Sequence, residues 1–135
     1  MYGLKIKREY IIDIINKKKT NMSYMLDTSI RGKIGLIDLD TYELIAYANL
    51  YDTTKTTYEE HLLLSARDSY TKAEAINLIN KLDFTKLKSN AYLYEFKDIE
   101  TLPIPYQINV IDENQIWIKF DENELQKGYE QISLF

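Results

Sequence analysis

The chain has 135 residues, 45% of them apolar, which suits one soluble domain with an ordinary buried core. The absence of cysteine excludes disulfides and thiolate metal sites, and no apolar run approaches the ~18–20 residues of a membrane-spanning helix. The first residues also lack the apolar stretch of a signal peptide, so we expect a cytoplasmic protein.

The formal net charge of −4 hides an uneven distribution. Residues 1–35 hold eight Lys or Arg against three Asp or Glu, a sum of +5, whereas the remaining hundred residues hold nine against eighteen, a sum of −9. A basic end on an acidic protein is typical of a local anion site, although a set of solvated lysines gives the same distribution.

The first half of the chain predicts a strand, a helix and two further strands. Residues 3–7 read as a short strand. Residues 8–19 carry apolar side chains at helical spacing, and the lysines at 17–19 would close that helix because cations complement the negative end of its dipole. Residues 33–38 form an apolar run, and residues 43–52 alternate between two faces, as strands do. One of these faces carries Leu44, Ala46, Ala48 and Leu50.

Two helices are predicted in the middle of the chain. Each begins with a capping box, in which a hydroxyl accepts a hydrogen bond from a backbone N–H of the first turn. The boxes are Thr57-x-x-Glu60 and Thr71-x-x-Glu74, and the second precedes an apolar stripe over residues 75–82.

The C-terminal part predicts two strands separated by a proline-rich segment. Residues 91–96 and 115–120 read as strands, whereas the two prolines in residues 102–106 lack amide donors, so this segment cannot be a central strand. The order of elements indicates an α+β fold, a curved, partly closed barrel of five to six short strands with two to three flanking helices. We expect one domain over residues 1–120, with residues 121–135 as an acidic extension that forms a short helix.

The usual signatures of enzyme and metal sites are missing from the sequence. His61 is the only histidine and falls inside a predicted helix, so no histidine pair is available for zinc. We interpret His61 as a surface or partly packed residue. The four glycines match no dinucleotide or phosphate loop, and no Gly-x-Ser-x-Gly elbow is present. We therefore expect no metal, no cofactor and no catalytic residue of these types.

Five basic or aromatic segments follow one another in a characteristic order. They are NKKKT at 16–20, SIRGKIGLI at 29–37, AYLYEF at 91–96, LPIPY at 102–106 and QIWIKF at 115–120. In this order they resemble the ASCH domain family, whose members have the PUA-like fold, and the resemblance extends from residue 3 to about residue 120. It implies recognition of RNA or of a modified nucleoside in a cleft beside the barrel.

The candidate ligand-binding residues combine cations with aromatic rings. They are Lys5, Lys18, Lys19, Thr20, Arg31, Tyr94 and Tyr106. Ammonium groups attract phosphate, and a tyrosine ring can stack an unpaired base. Arg31 could fork onto a phosphate beside Gly32, which permits a positive φ. Alternatively, Arg31 pairs with a carboxylate such as Asp27 or Asp52. Trp117 is interpreted as a core residue of the last strand.

The sequence departs from the family pattern at several positions. That pattern is Gly-x-Lys-x-x-Glu-x-Arg, and Lys19 matches its lysine, while Lys17, Met22 and Tyr24 replace the glycine, the acid and the arginine. A branch of the family hydrolyses N4-acylated cytidines with a threonine at the position of Met22, and a thioether cannot attack a carbonyl. The resemblance therefore implies a module that binds without this chemistry.

Two other functions stay open. A degenerate copy of such a domain with an acidic C-terminal part suits a phage or mobile-element protein that inhibits a host protein, with carboxylates imitating nucleic acid. The acidic residues concerned are Asp112, Glu113, Asp121, Glu122 and Glu124. The other function is an amidohydrolase with relocated catalytic residues. None of the three functions predicts a membrane partner.

Overall fold

The computed structural model describes residues 1–67 and 89–123, which form seven strands and two helices. The strands are β1 (Tyr2–Ile6), β2 (Asn21–Tyr24), β3 (Gly32–Asp38), β4 (Glu43–Thr57), β5 (Asn90–Gln107), β6 (Val110–Glu113) and β7 (Trp117–Phe120), and the helices are α1 (Arg8–Ile15) and α2 (Tyr58–Arg67). The strands follow the order β2-β5-β4-β3-β1-β7-β6 in one sheet. The α+β prediction is confirmed, with seven strands instead of five to six. The helix predicted after Thr71 and the tail beyond residue 123 lie outside the described residues.

The described residues form two compact units. Unit 1 comprises residues 1–20, 31–50 and 96–123, and unit 2 comprises residues 21–30, 51–67 and 89–95. The long strands β4 and β5 each contribute to both units. The expectation of a single domain over residues 1–120 stays a prediction.

The core of unit 1 is built on β1, which pairs in parallel with β3 and antiparallel with β7. Leu4 lies opposite Leu36 on one side and opposite Trp117 on the other. The alternation predicted for β4 is confirmed, since its four inward residues are each no more than 1% exposed. The buried apolar residues of this core include Leu4, Ile6, Ile11, Ile14, Ile34, Leu36, Ile37, Leu44, Ala46, Ala48, Leu50, Ile118 and Phe120.

Two paired glycines, Gly3 on β1 and Gly35 on β3, let the ring of Phe120 approach the sheet. A β-carbon at Gly35 would lie 2.7 Å from Leu44 Cδ1 and 3.2 Å from the Phe120 ring, and one at Gly3 would collide with Ile37. Close packing against the backbone therefore accounts for both glycines.

Within unit 1, an ion-pair network connects the start of α1 with β3 and β4. Arg8 Nε lies 2.9 Å from Asp38 Oδ2, and Arg8 Nη2 lies 2.8 Å from Glu43 Oε1. Asp38 is only 3% exposed, so its charge is compensated inside the fold, as a buried carboxylate requires. No helix in the described parts of the chain has the length and apolarity needed to cross a membrane.

Unit 2 contains β2, which the sequence did not predict. It pairs antiparallel with β5, where Asn21 lies opposite Glu95 and Tyr24 lies opposite Tyr92. All four residues of β2 are half-buried, so the strand lacks the alternation by which strands are recognised. The start of α2 agrees with its capping box, because the backbone N–H of Glu60 donates to Thr57 Oγ1 at 3.2 Å.

Residues 102–106 belong to β5 and do not interrupt it. Pro103 and Pro105 are two residues apart, so their backbone nitrogens lie on the same side of the strand. In the part of the chain that the structure describes, β2 is in register with residues 92–95 only and does not extend to the prolines. A strand accepts proline where one side has no partner. The rule on proline therefore holds, while the expectation of a break in the strand is wrong.

Candidate ligand-binding cavity

The helix α1 ends earlier than predicted. Its last residue is Ile15, and Lys17 has a left-handed backbone with φ of 60°. The backbone N–H of Lys17 donates to the Ile14 carbonyl at 3.2 Å, and that of Lys18 donates to the Asp13 carbonyl at 2.9 Å. These two bonds define a Schellman motif with Lys17 at the position that glycine usually occupies. The lysines at 17–19 therefore follow the helix and do not form its last turn.

The chain reversal at Lys17 brings residues 17–20 beside β5. The carbonyl of Thr20 accepts a hydrogen bond from the backbone N–H of Phe96 at 3.0 Å. A cavity of about 250 Å³ lies at this junction, entirely within unit 1, and we call it the lysine cavity. It is lined by Ile14, Lys17, Lys19, Thr20, Phe96, Lys97 and Ile99.

The surface of the lysine cavity is mainly apolar. Ile14 is 1% exposed and Phe96 is 4% exposed, so both belong to the floor. Three lysines line the cavity, and no carboxylate of the described residues does so. Lys19 Nζ lies 5.6 Å from the centroid of the Tyr10 ring, a cation–π contact that orients this side chain. The lysines therefore lie at a mainly apolar cavity.

Two of the seven predicted residues, Lys19 and Thr20, line this cavity. Lys18 is exposed beside them and does not line it. The sequence did not single out Lys97, because no local pattern indicates that β5 returns to the end of α1. Lys17, which stands at the position of the family glycine, also lines the cavity.

Lys5 takes part in a different cluster of unit 1. Its Nζ lies 3.2 Å from Glu113 Oε2 and 5.7 Å from the Tyr42 ring centroid, and the Tyr42 hydroxyl donates to Glu113 Oε2 at 2.8 Å. Hydrogen bonds from Tyr42 and Lys5 lower the pKa of Glu113. The same hydrogen bond to Glu113 raises the pKa of the Tyr42 hydroxyl. Lys5 is therefore the cation of an ion pair and does not line the lysine cavity, and its assignment as a ligand residue stays a prediction.

Tyr94 is a packing residue of unit 2. It is 0% exposed, its hydroxyl donates to the Leu26 carbonyl, and its ring lies 4.7 Å from the ring of Tyr24. Burial, and secondarily the neighbouring Tyr94, raise the pKa of Tyr24. A fully buried ring offers no face to a base, so the assignment of Tyr94 to a stacking platform is wrong.

The other aromatic candidates lie in unit 1. Tyr106 is half-buried and packs against the core cluster that includes Phe120. Trp117 is 7% exposed and meets the Tyr2 ring edge-on at 6.4 Å, which confirms its interpretation as a core residue. Arg31 is exposed and precedes Gly32, whose φ of 94° confirms the expected positive value. The role of Arg31 stays a prediction.

A second polar pair lies in unit 2, between Ser23 and His61. The Nδ1 atom of His61 is 2.9 Å from Ser23 Oγ, and its ring stacks on Tyr58 with centroids 6.2 Å apart. Burial lowers the pKa of His61, so the ring is neutral at pH 7 and serves as a hydrogen-bonding partner. Its interpretation as a partly packed residue is confirmed. Within residues 1–67 and 89–123, no group of three His, Asp or Glu is placed to hold a metal ion.

Solved structures similar to this chain include an ASCH protein from Zymomonas mobilis. That structure matches with a TM-score of 0.61 and 13% sequence identity, covering 96% of this chain and 93% of that one. Two mutant structures of the same protein match at 13% identity over 96% of this chain, with TM-scores of 0.63 and 0.60, covering 94% and 96% of their own chains. No protein-family model matches the chain, and no curated protein matches it either. The structural likeness over nearly the whole length establishes that this chain has an ASCH-like fold.

Proposed function

We propose that this protein is a binding module that takes RNA or a nucleoside-containing ligand into the lysine cavity. The observation that supports the proposal is the cavity itself, whose lining residues include Lys17, Lys19 and Lys97 beside apolar side chains. The resemblance to the ASCH family, whose fold this chain shares, implies the same class of ligand. We further propose that the module acts in the cytoplasm and without a cofactor.

The size of the cavity limits what it can hold. Sites for drug-sized ligands enclose about 300–1,000 Å³. At about 250 Å³, the lysine cavity is smaller than such sites, so it suits a group the size of one unpaired base and not a folded RNA element. A longer RNA would therefore insert a single unpaired residue or an end, as single-stranded recognition usually does.

The proposal does not include catalysis by the residues of the hydrolytic family branch. Met22 occupies the position of the catalytic threonine and lies on β2, opposite Tyr94. Its thioether has no proton to lose and cannot form an acyl intermediate. Lys19, the one matching residue, is sufficient for electrostatic binding but not for that reaction.

The test is a titration of labelled single-stranded RNA at two salt concentrations, about 50 and 200 mM, chosen because phosphate contacts respond strongly over this range. The double variant Lys19→Ala/Lys97→Ala replaces two lysines that line the cavity and should bind more weakly, with a smaller salt dependence, than the wild type. Lys119→Ala is the matched control, because Lys119 is an exposed lysine of unit 1 that does not line the cavity. Binding that ignores both the salt and the double substitution would contradict the proposal.

A second candidate function is inhibition of a host protein by direct contact, as a phage or mobile-element protein would do. It is favoured by β6, which stands at one end of the sheet and has four exposed residues. Ile111 is 62% exposed there, next to Asp112 and Glu113. Affinity purification from the native cell with wild type and Ile111→Lys tests this candidate. A protein retained by the wild type and lost with the variant would support it, and identical protein sets would contradict it.

A further inference from the structure

We infer that a second cavity of unit 1 recognises guanine by its base-pairing edge, so that the module prefers RNA with an unpaired guanine. This inference rests on the proposed function and adds the base that the ligand presents. The cavity encloses about 230 Å³, and we call it the Asn49 cavity. It is lined by Lys33, Tyr47, Ala48, Asn49, Asp98 and Glu100.

The Asn49 cavity is formed by residues of β3, β4 and β5. Lys33 and Asn49 are register partners on β3 and β4, so their side chains leave the sheet on the same face. Neighbouring residues of β5 belong to different cavities, since Lys97 lines the lysine cavity and Asp98 lines the Asn49 cavity. Substitutions can therefore address the two cavities separately.

The charged and polar residues of the Asn49 cavity comprise one lysine, two carboxylates and one amide, and about half of its surface is polar. Lys33 Nζ lies 3.6 Å from Glu100 Oε2 and 4.3 Å from the centroid of the Tyr47 ring, so a donor and an acceptor stand side by side. In the described parts of the chain, the side chains of Asn49 and Asp98 have no hydrogen-bond or ion-pair partner, and Asn49 is half-buried. A ligand in this cavity supplies partners to an amide and a carboxylate that the fold leaves unpaired.

The base-pairing edge of guanine complements these groups. It presents one acceptor, O6, beside two donors, the N1–H and the 2-amino group. An ammonium group only donates and a carboxylate only accepts, so one lysine and two carboxylates match one acceptor and two donors. Adenine, cytosine and uracil each present a single donor group on this edge, which leaves one carboxylate without a donor. Hydrogen bonds to charged groups are the stronger ones, so this difference should dominate the choice of base.

The experiment compares four labelled pentauridylates with guanosine, inosine, adenosine or cytidine at the central position, by fluorescence anisotropy with the full chain. Inosine differs from guanosine only in lacking the 2-amino group. The guanosine oligonucleotide should bind at least about tenfold more tightly than the inosine one, as the loss of a hydrogen bond to a charged group predicts. Equal affinity for these two oligonucleotides would overturn the inference.

The variant Asp98→Asn tests the unpaired carboxylate. Asparagine has the shape of aspartate and tolerates the left-handed backbone at this position, where φ is 53°. Asp98→Asn should remove most of the preference for guanosine over inosine and leave the melting temperature unchanged, because Asp98 is exposed. Asp40→Asn is the matched control and should change neither quantity, since Asp40 is an exposed carboxylate of unit 1 that does not line the cavity. A preference for guanosine that survives both Asp98→Asn and Glu100→Gln would contradict the site.

The outcomes separate this inference from the proposed function. Salt-sensitive binding of all four oligonucleotides with equal affinity would overturn the guanine site and leave the RNA-binding proposal standing. If no oligonucleotide binds, calorimetry with the 5′-monophosphates of guanosine and inosine decides. Tighter binding of guanosine monophosphate would support the guanine site and remove RNA as the ligand, and the absence of binding would refute the proposed function together with the inference.

Discussion

Removing the hydroxyl of Tyr94 separates a packing role from a ligand role. Tyr94→Phe retains the ring against Tyr24 and deletes only the bond to the Leu26 carbonyl. A hydrogen bond within a protein contributes about 0.5–1.5 kcal/mol, and an acceptor left buried without a partner costs about 1–3 kcal/mol. Leu26 is 45% exposed, and its bond to Tyr94 is only partly buried. We therefore expect a loss of about 1 kcal/mol, the lower end of these ranges.

For a chain of this length, that loss lowers the melting temperature by roughly 2–8 °C. Thermal unfolding followed by circular dichroism measures the change, and fluorescence anisotropy with labelled RNA should show unchanged affinity. Tyr2→Phe is the control for loss of a tyrosine hydroxyl, because Tyr2 is a 45% exposed tyrosine of unit 1 and is not a candidate ligand residue. A variant Tyr94→Phe that melts like the wild type but has lost RNA affinity would refute the packing role and return Tyr94 to the ligand site.

Three further predictions concern single residues. Because the folded state disfavours the imidazolium of His61, the stability of the fold should fall as the pH drops below about 6.5. The variant His61→Gln should flatten the dependence of melting temperature on pH between 5 and 8, and an unchanged slope would contradict the burial of this ring. The protein should not release cytidine from N4-acetylcytidine, and chromatographic detection of cytidine that disappears in Lys19→Ala would prove the opposite. Arg31→Ala should change the unfolding free energy by less than about 0.5 kcal/mol, as expected of an exposed residue, and should weaken RNA binding. A clear fall in melting temperature with RNA affinity retained would make Arg31 a structural residue.

The strands with a buried face were predictable, and those without one were not. In β4 the alternating pattern reflects a real division between core and surface, and its inward residues are buried as predicted. The residues of β2 are all half-buried and those of β6 all exposed, so neither strand has a pattern that could be read. Both exist because a neighbouring strand offers its backbone, β5 to one and β7 to the other. Pairing of this kind depends on parts of the chain that are distant in sequence.

The candidate site shows the same limit. The basic segment at 17–20 was recognised because its charges are adjacent in sequence, and two of the residues chosen from it line the cavity. Lys97 lies at the cavity because a hydrogen bond between Phe96 and Thr20 holds β5 beside residues 17–20. No local sequence pattern predicts this hydrogen bond. Tyr94 was predicted to stack a base because it is aromatic, but its side chain is buried in the core. Chemical type alone does not tell an exposed ring from a buried one.

The position of the lysine cavity at the end of α1 has a consequence for its affinity. The carboxyl end of a helix carries a partial negative charge, which opposes an anion there. In this protein the Asp13 carbonyl accepts from the N–H groups of Lys18 and Lys19, and the Ile14 carbonyl accepts from that of Lys17. The motif thus occupies both carbonyls with backbone donors. Under the proposed function the attraction to RNA comes from lysine charges, so we expect the RNA affinity to fall steeply with added salt.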